Sequence, residues 1–137
     1  MKTKNINHIL VIDDDEFLLN AVKKKLEVSG YKVTISNNVH DAYFKLSILK
    51  PDFILLDIIM PEINGIEFMN LINTQSGNLT IPIMLMSYLP EQELYQMGYN
   101  IGQAHYLAKP FNINSLPFIL KRELFVTPQK TKYLNHH

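Results

Sequence analysis

Cysteine is absent from the 137 residues of this chain. A disulfide framework, a thiol nucleophile and a thiolate metal site are therefore excluded. An excess of one charge is also missing, because 13 lysines and arginines balance 13 aspartates and glutamates. A neutral chain has no general electrostatic attraction to nucleic acid or to an anionic membrane. We expect a protein that neither binds nucleic acid directly nor inserts into a membrane.

Long apolar runs are missing as well, since all of them are far shorter than the ~20 residues that cross a bilayer. Lys2 and Lys4 have no apolar stretch behind them, so the N-terminus does not resemble a signal peptide. The chain is 47% hydrophobic and 19% charged, an ordinary globular balance, and its length fits one domain. We expect a soluble, cytoplasmic single domain.

Five short apolar runs alternate with helical patterns along the chain. Residues 9–12 and 53–56 are apolar at every position, which is typical of strands buried on both faces of a parallel sheet. Residues 31–35, 81–86 and 106–108 predict three further strands.

A helical pattern follows each of these runs. The predicted helices lie at 15–29, around 42–49, from 65, at 91–101 and from Ser115, which is expected to cap the last one. Gly98 and Gly102 weaken the pattern of the fourth. Alternating strands and helices predict an α/β fold: a flavodoxin-like, doubly wound sheet of five parallel strands, in the order 2-1-3-4-5, with five helices.

Polar side chains follow four of the predicted strands. Three aspartates at 13–15 follow the first strand, and Asp57, Ser87 and Lys109 follow the third, fourth and fifth. The carboxyl ends of parallel strands meet at one edge, where such sheets bind their ligands. Crowded carboxylates favour a divalent cation with hard oxygen ligands, such as Mg²⁺. With a lysine and a hydroxyl, this set suits phosphoryl transfer onto a carboxylate.

Several segments resemble the receiver domain of two-component response regulators. They are the Ile-Leu-Val-Ile-Asp-Asp-Asp stretch at 9–15, the segment 51–61 ending in Asp-Ile-Ile-Met-Pro, Asn64-Gly65, Ile-Pro-Ile at 81–83 with Ser87, and Tyr-Leu-Ala-Lys-Pro-Phe at 106–111. The resemblance covers residues 6–126 and leaves 127–137 as a C-terminal tail.

The resemblance implies a phosphoacceptor and a metal site. Asp57 is the implied phosphoacceptor. Asp13, Asp14, Asp57 and the backbone carbonyl of Ile59 are the implied Mg²⁺ ligands, with Asp14 favoured over Asp13 as a direct ligand.

The same resemblance assigns three further roles. Lys109 pairs with the phosphoryl group, Ser87 supplies the switch hydroxyl and Tyr106 is the switch aromatic. The Lys109-Pro110 peptide bond is expected to be cis, and the signal is expected to leave through the fourth helix, fifth strand and fifth helix.

Departures from the family pattern occur beside these residues. Tyr88 stands after Ser87, where the family has a small residue, and its ring is expected to gate access to Asp57. Ala104-His105 replaces an acidic pair before Tyr106, and His105 is expected at the surface. Asp15 lies outside the metal pair and is expected to cap the first helix.

The expected function is that of a non-enzymatic, phosphorylatable switch. Its implied partners are a histidine kinase or histidine phosphotransfer protein and a downstream protein target. One alternative is a haloacid-dehalogenase-like phosphatase, because Asp13-x-Asp15 follows a buried strand, although Phe17 replaces the expected threonine or valine. Another is a receiver fragment of a larger hybrid kinase or DNA-binding regulator.

Overall fold

A computed structural model of the chain describes residues 6–75 and 81–123. Its regular elements, in chain order, are β1 (His8–Ile12), α1 (Glu16–Val28), β2 (Lys32–Ser36), α2 (Val39–Leu49), β3 (Phe53–Asp57), α3 (Gly65–Gln75), β4 (Ile83–Ser87), α4 (Glu91–Gln96), β5 (His105–Ala108), a 3-10 turn (Ile113–Ser115) and α5 (Leu116–Lys121). The predicted turn at 76–78 and the tail at 127–137 lie outside the described residues.

All five strands are parallel and form one sheet in the order β2-β1-β3-β4-β5. The α/β fold, the strand order and the five helices are therefore confirmed. The register pairs Ile12 with Leu56 and Asp57 with Met86, so neighbouring strands end at nearly the same height. This alignment brings the residues after β1, β3 and β4 to one edge of the sheet.

Alternate residues of the central strands pack into two separate cores. Leu10, Ile54 and Leu85 face α2, α3 and α4. Ile9 and Leu55 face α1 and α5 on the other side. Because both faces are covered, the strands must be apolar at every position, which explains the uninterrupted apolar runs.

Helix ends agree with the sequence in part. Asp15 caps α1, accepting a hydrogen bond from the Leu18 backbone N–H at 3.1 Å, as predicted. The predicted fourth helix at 91–101 is longer than the observed α4, which ends at Gln96. Gly98 adopts a φ of 92° shortly after this end and turns the chain away from the helix. Ser115 stands at the N-cap position of α5, as predicted, but without the expected capping role. Its side chain makes no capping bond, and Asn112 instead caps the 3-10 turn that leads into α5.

Within the described residues, α1 is the longest helix, and no helix is long and apolar enough to cross a membrane.

Candidate functional site

The carboxyl edge of the sheet gathers the residues that the sequence singled out. Asp13 follows β1, Asp57 and Ser87 end β3 and β4, and Lys109 follows β5. All but Lys109 are buried as whole residues, and the lysine side chain is itself only 6% exposed. The Lys109-Pro110 peptide bond is cis, as the resemblance implied.

Lys109 connects the two buried carboxylates. Its Nζ donates to Asp13 Oδ2 at 2.6 Å and to Asp57 Oδ1 at 3.2 Å. One cation therefore faces two buried anions, and the exposed Asp14 adds a third carboxylate nearby. The cluster has an excess of negative charge that a further cation would neutralise.

Asp13 is held at both of its oxygens. Oδ1 accepts a hydrogen bond from the Asp15 backbone N–H at 2.9 Å, while Oδ2 binds Lys109. The residue is 0% exposed, whereas Asp14 is exposed to solvent. These contacts leave Asp14 the more accessible of the two carboxylates and favour it over Asp13 as a direct metal ligand.

The protonation properties of the site follow from burial and charge. Burial, and after it the charge of Asp13, raises the pKa of Asp57 to about 6, although Lys109 opposes the shift. Burial alone would lower the pKa of Lys109, but its hydrogen bond to Asp13 and the charge of Asp57 raise it overall. The lysine thus stays a fixed positive charge.

The three carboxylates fit a divalent metal. Oxygens from Asp13, Asp14 and Asp57 all lie within 4.8 Å of one another. Hard oxygen donors, few in number and open to solvent on one side, suit Mg²⁺. Ile59 directly follows this edge with its side chain exposed, and the metal role of its carbonyl stays a prediction.

The start of α3 is fixed against the end of β3. The Gly65 backbone N–H donates to the carbonyl of Ile58 at 2.7 Å. Asn64 and Glu67 form reciprocal capping bonds, because the Asn64 side chain accepts from the Glu67 N–H at 2.9 Å and Glu67 accepts from the Asn64 N–H at 3.4 Å. The Asn64-Gly65 motif therefore holds the loop that follows Asp57.

Ser87 and Tyr106 lie on the sheet face that α4 covers. The Ser87 hydroxyl oxygen accepts a hydrogen bond from the Leu89 backbone N–H at 3.0 Å. The Tyr106 hydroxyl is buried and makes no hydrogen bond of regular geometry within residues 6–75 and 81–123. Burial raises its pKa, and the nearby Ser87 hydroxyl lowers it by less. The aromatic ring is thus already packed inward.

Tyr88 lies over the lysine of the site. Its ring centroid is 5.4 Å from Lys109 Nζ, within cation–π range, although the residue is 70% exposed. The sequence suggested that this ring narrows the entrance, but not that it contacts the lysine.

His105 is a feature that the sequence misjudged. It is buried rather than at the surface, and its Nδ1 lies 3.2 Å from a carboxylate oxygen of Glu123, directly after α5. The residues that follow α5 contact the edge strand β5 here, a tertiary contact that no local pattern reveals.

The comparisons with known proteins agree with this geometry. The family model of the response regulator receiver domain matches residues 9–121. The chain belongs to this family. Among solved structures, the receiver domain is similar to the chemotaxis response regulator CheY4 of Vibrio cholerae, with a TM-score of 0.76, 29% identity and coverage of 86% of this chain and 98% of that one.

Curated relatives are longer than this receiver domain. The transcriptional regulatory protein CrdR of Helicobacter pylori is 32% identical over 83% of this chain and 53% of its own length. The regulatory protein PhoP of Bacillus subtilis, named for alkaline phosphatase synthesis, is 32% identical over 88% of this chain and 51% of its own. The chain thus spans about half the length of these relatives. Neither comparison supports the phosphatase alternative.

Proposed function

We propose that this receiver domain is a Mg²⁺-dependent phosphoacceptor switch in which Asp57 takes a phosphoryl group from a phosphohistidine. The donor is a histidine kinase or a histidine phosphotransfer protein. The observation that carries the proposal is the Lys109 ammonium, which bridges Asp13 and Asp57 at the carboxyl edge of the sheet.

The transfer uses Asp57 as the nucleophile. A carboxylate oxygen of Asp57 forms the new P–O bond as the P–N bond to the donor imidazole breaks, and the imidazole leaves with the electron pair. Lys109 is placed to balance charge on a phosphoryl oxygen, because its ammonium already contacts the acceptor. The Ser87 hydroxyl can donate a hydrogen bond to a second phosphoryl oxygen, while its oxygen accepts from the Leu89 N–H.

A metal ion fits the acidic group beside the acceptor. Asp14 and Asp57, with the Ile59 carbonyl and Asp13, would hold Mg²⁺. The ion would supply positive charge that lowers the cost of gathering carboxylate and phosphoryl oxygens in one place. Burial raises the pKa of Asp57, and the positive charge of the ion would lower it again. The ion would therefore keep the nucleophile ionised.

The signal is proposed to leave through α4, β5 and α5. Recruitment of the Ser87 hydroxyl by the phosphoryl group changes its relation to Leu89 and to the buried Tyr106 hydroxyl. Leu94 of α4 and Tyr106 pack in the same core. A shift of the Tyr106 ring therefore changes the packing of that helix. A downstream protein would read this face, in keeping with a cytoplasmic switch that is not itself an enzyme.

Beryllofluoride, a nonhydrolysable phosphoryl analogue, tests the proposal in NMR titrations with Mg²⁺. We expect amide shift changes at residues 57–59, 87–89 and 106–109 in the wild type and none in Asp57→Asn. Asp15→Asn is the matched control, because asparagine also caps a helix and should leave the response intact. Equal responses in the wild type and Asp57→Asn would refute Asp57 as the acceptor.

A second candidate is favoured by the lengths of the relatives. CrdR and PhoP are named transcriptional regulatory proteins, and this chain matches only about half of each. The receiver domain would then control a DNA-binding output region in a longer protein. The complete reading frame tests this, and a frame without a further domain would contradict it.

A further inference from the structure

Tyr88 is an exposed aromatic residue that contacts Lys109, whose side chain is only 6% exposed. Large side chains on a surface usually point into solvent, yet this ring centroid lies 5.4 Å from Lys109 Nζ. The faces of aromatic rings attract an ammonium group at separations up to about 6 Å. The contact is therefore attractive and involves the group that meets an incoming phosphoryl oxygen.

The Tyr88 ring and the two buried carboxylates are grouped around the Lys109 ammonium. Two of the three N–H donors of Lys109 are directed at the buried carboxylates of Asp13 and Asp57. Tyr88, in contrast, is 70% exposed. The Lys109 side chain is only 6% exposed, so a phosphoryl group that arrives from solvent meets the ammonium beside this exposed ring.

The backbone on both sides of Tyr88 is anchored. The Lys109 backbone N–H donates to the Ser87 carbonyl at 2.8 Å, and the Leu89 N–H donates to the Ser87 hydroxyl at 3.0 Å. Leu89 also packs against the core beneath α4. The ring therefore moves away from Lys109 through rotation of the Tyr88 side chain and not through movement of the whole loop.

We propose that Tyr88 is a specificity-determining residue whose ring latches over Lys109 and excludes small phosphoryl donors and water from Asp57. The proposal rests on Asp57 being the acceptor. A small donor reacts only with the fraction of molecules in which the ring is open, so its rate falls to that fraction of the rate without the ring. A docked protein can displace the ring through contacts that a small molecule lacks.

The predicted effect on a small donor follows from the strength of the contact. With acetyl phosphate, an Asp57 oxygen forms the P–O bond while the bond from phosphorus to the acetate oxygen breaks, and acetate leaves with the electron pair. Cation–π contacts at partly desolvated sites correspond to a roughly 3- to 30-fold equilibrium preference for the closed ring. Labelling should accelerate by the same factor when the ring is removed.

The test compares Tyr88→Ala, Tyr88→Leu and Tyr88→Phe with the wild type in Mg²⁺ and acetyl phosphate. We expect faster labelling and a shorter phosphoryl lifetime in Tyr88→Ala and Tyr88→Leu, and wild-type rates in Tyr88→Phe, which keeps the ring. Tyr95→Ala, which removes an exposed tyrosine of α4, is the control and should match the wild type. Equal rates in the wild type and Tyr88→Ala, or a Tyr88→Leu variant as slow as the wild type, would overturn the latch.

A measurement without phosphorylation separates the latch from the proposed function. In the metal-free protein, NMR should show contacts between the Tyr88 ring and the ε-protons of Lys109, with these protons shifted upfield relative to Tyr88→Leu. Absence of both signals would overturn the latch whatever the labelling shows. Failure of every variant to label at Asp57 would instead refute the acceptor on which the proposal rests.

Discussion

Gly65 lies directly against the main chain of Asp57. A Cβ atom at this glycine would overlap the Asp57 carbonyl oxygen and would lie 2.9 Å from the Ile58 Cα. The Gly65 N–H also binds the Ile58 carbonyl. Helix α3 therefore begins in contact with the end of β3, and only a residue without a side chain fits this position.

Gly65→Ala should destabilise the protein by about 1–3 kcal/mol, because the added methyl group meets backbone that cannot move aside cheaply. Urea unfolding measures this change. Asn73→Ala, at an exposed position of the same helix, is the control and should change stability by about 0.5 kcal/mol or less. A Gly65→Ala variant as stable as the wild type would show that α3 can shift away from Asp57.

Lys109→Met should leave Asp13 and Asp57 buried without their cation. Breaking a buried ion pair in this way costs about 3–5 kcal/mol. We expect a matching loss in the unfolding free energy of the metal-free protein, recovered in part by Mg²⁺. Lys24→Met, at an exposed position of α1, should have little effect. A loss that Mg²⁺ leaves unchanged would argue against a metal beside these carboxylates.

Asp57→Asn should stabilise the metal-free protein in a pH-dependent way. Burial raises the pKa of Asp57 from 3.8 to about 6 in the folded state, so the ionised group disfavours folding at higher pH. This cost in folding free energy is absent at pH values below the pKa of Asp57 in the unfolded state. It grows as the pH rises and is complete above the pKa of Asp57 in the folded state. Asparagine avoids it and should gain about 1–3 kcal/mol near neutral pH, and little near pH 4.

Thermal unfolding at several pH values, with EDTA and with Mg²⁺, measures this effect. Mg²⁺ should stabilise the wild type more than the variant and so reduce the difference between them. A gain for Asp57→Asn that does not vary with pH would contradict the raised pKa.

Tyr106→Phe should keep or raise stability, by up to about 1 kcal/mol, because it removes a buried hydroxyl that has no regular hydrogen bond in the described part of the chain. Chemical denaturation measures the change. Tyr99→Phe, at another tyrosine packed against the same core, should give no such gain. A clear loss of stability in Tyr106→Phe would show that Ser87 holds this hydroxyl firmly.

Much of the fold was predictable because burial on both faces requires apolar residues at every strand position. The apolar runs at 9–12 and 53–56 predicted a parallel sheet, which the structure has. A parallel sheet in turn implied that Asp13, Asp57 and Lys109 meet at one edge. The chemistry of these residues predicted phosphoryl transfer onto a carboxylate, whereas the choice of Asp57 as the acceptor came from the family motifs.

The remaining features depend on contacts between distant parts of the chain. His105 is buried and lies against Glu123, which follows α5 and is distant from β5 in the sequence. The contact between Tyr88 and Lys109 depends on a side-chain rotation that spacing does not determine. The inward position of Tyr106 likewise follows from packing against the core beneath α4. Local patterns carry no information on such choices.

The most direct test of the account is to locate the phosphoryl group after prolonged incubation with phosphoramidate and Mg²⁺. Peptide mass spectrometry of the wild type should find one phosphoryl group, on Asp57. The group should be absent in Asp57→Asn and in excess EDTA. A phosphoryl group on another residue, or labelling that persists in either of those samples, would contradict the assignment of Asp57 as the Mg²⁺-dependent acceptor.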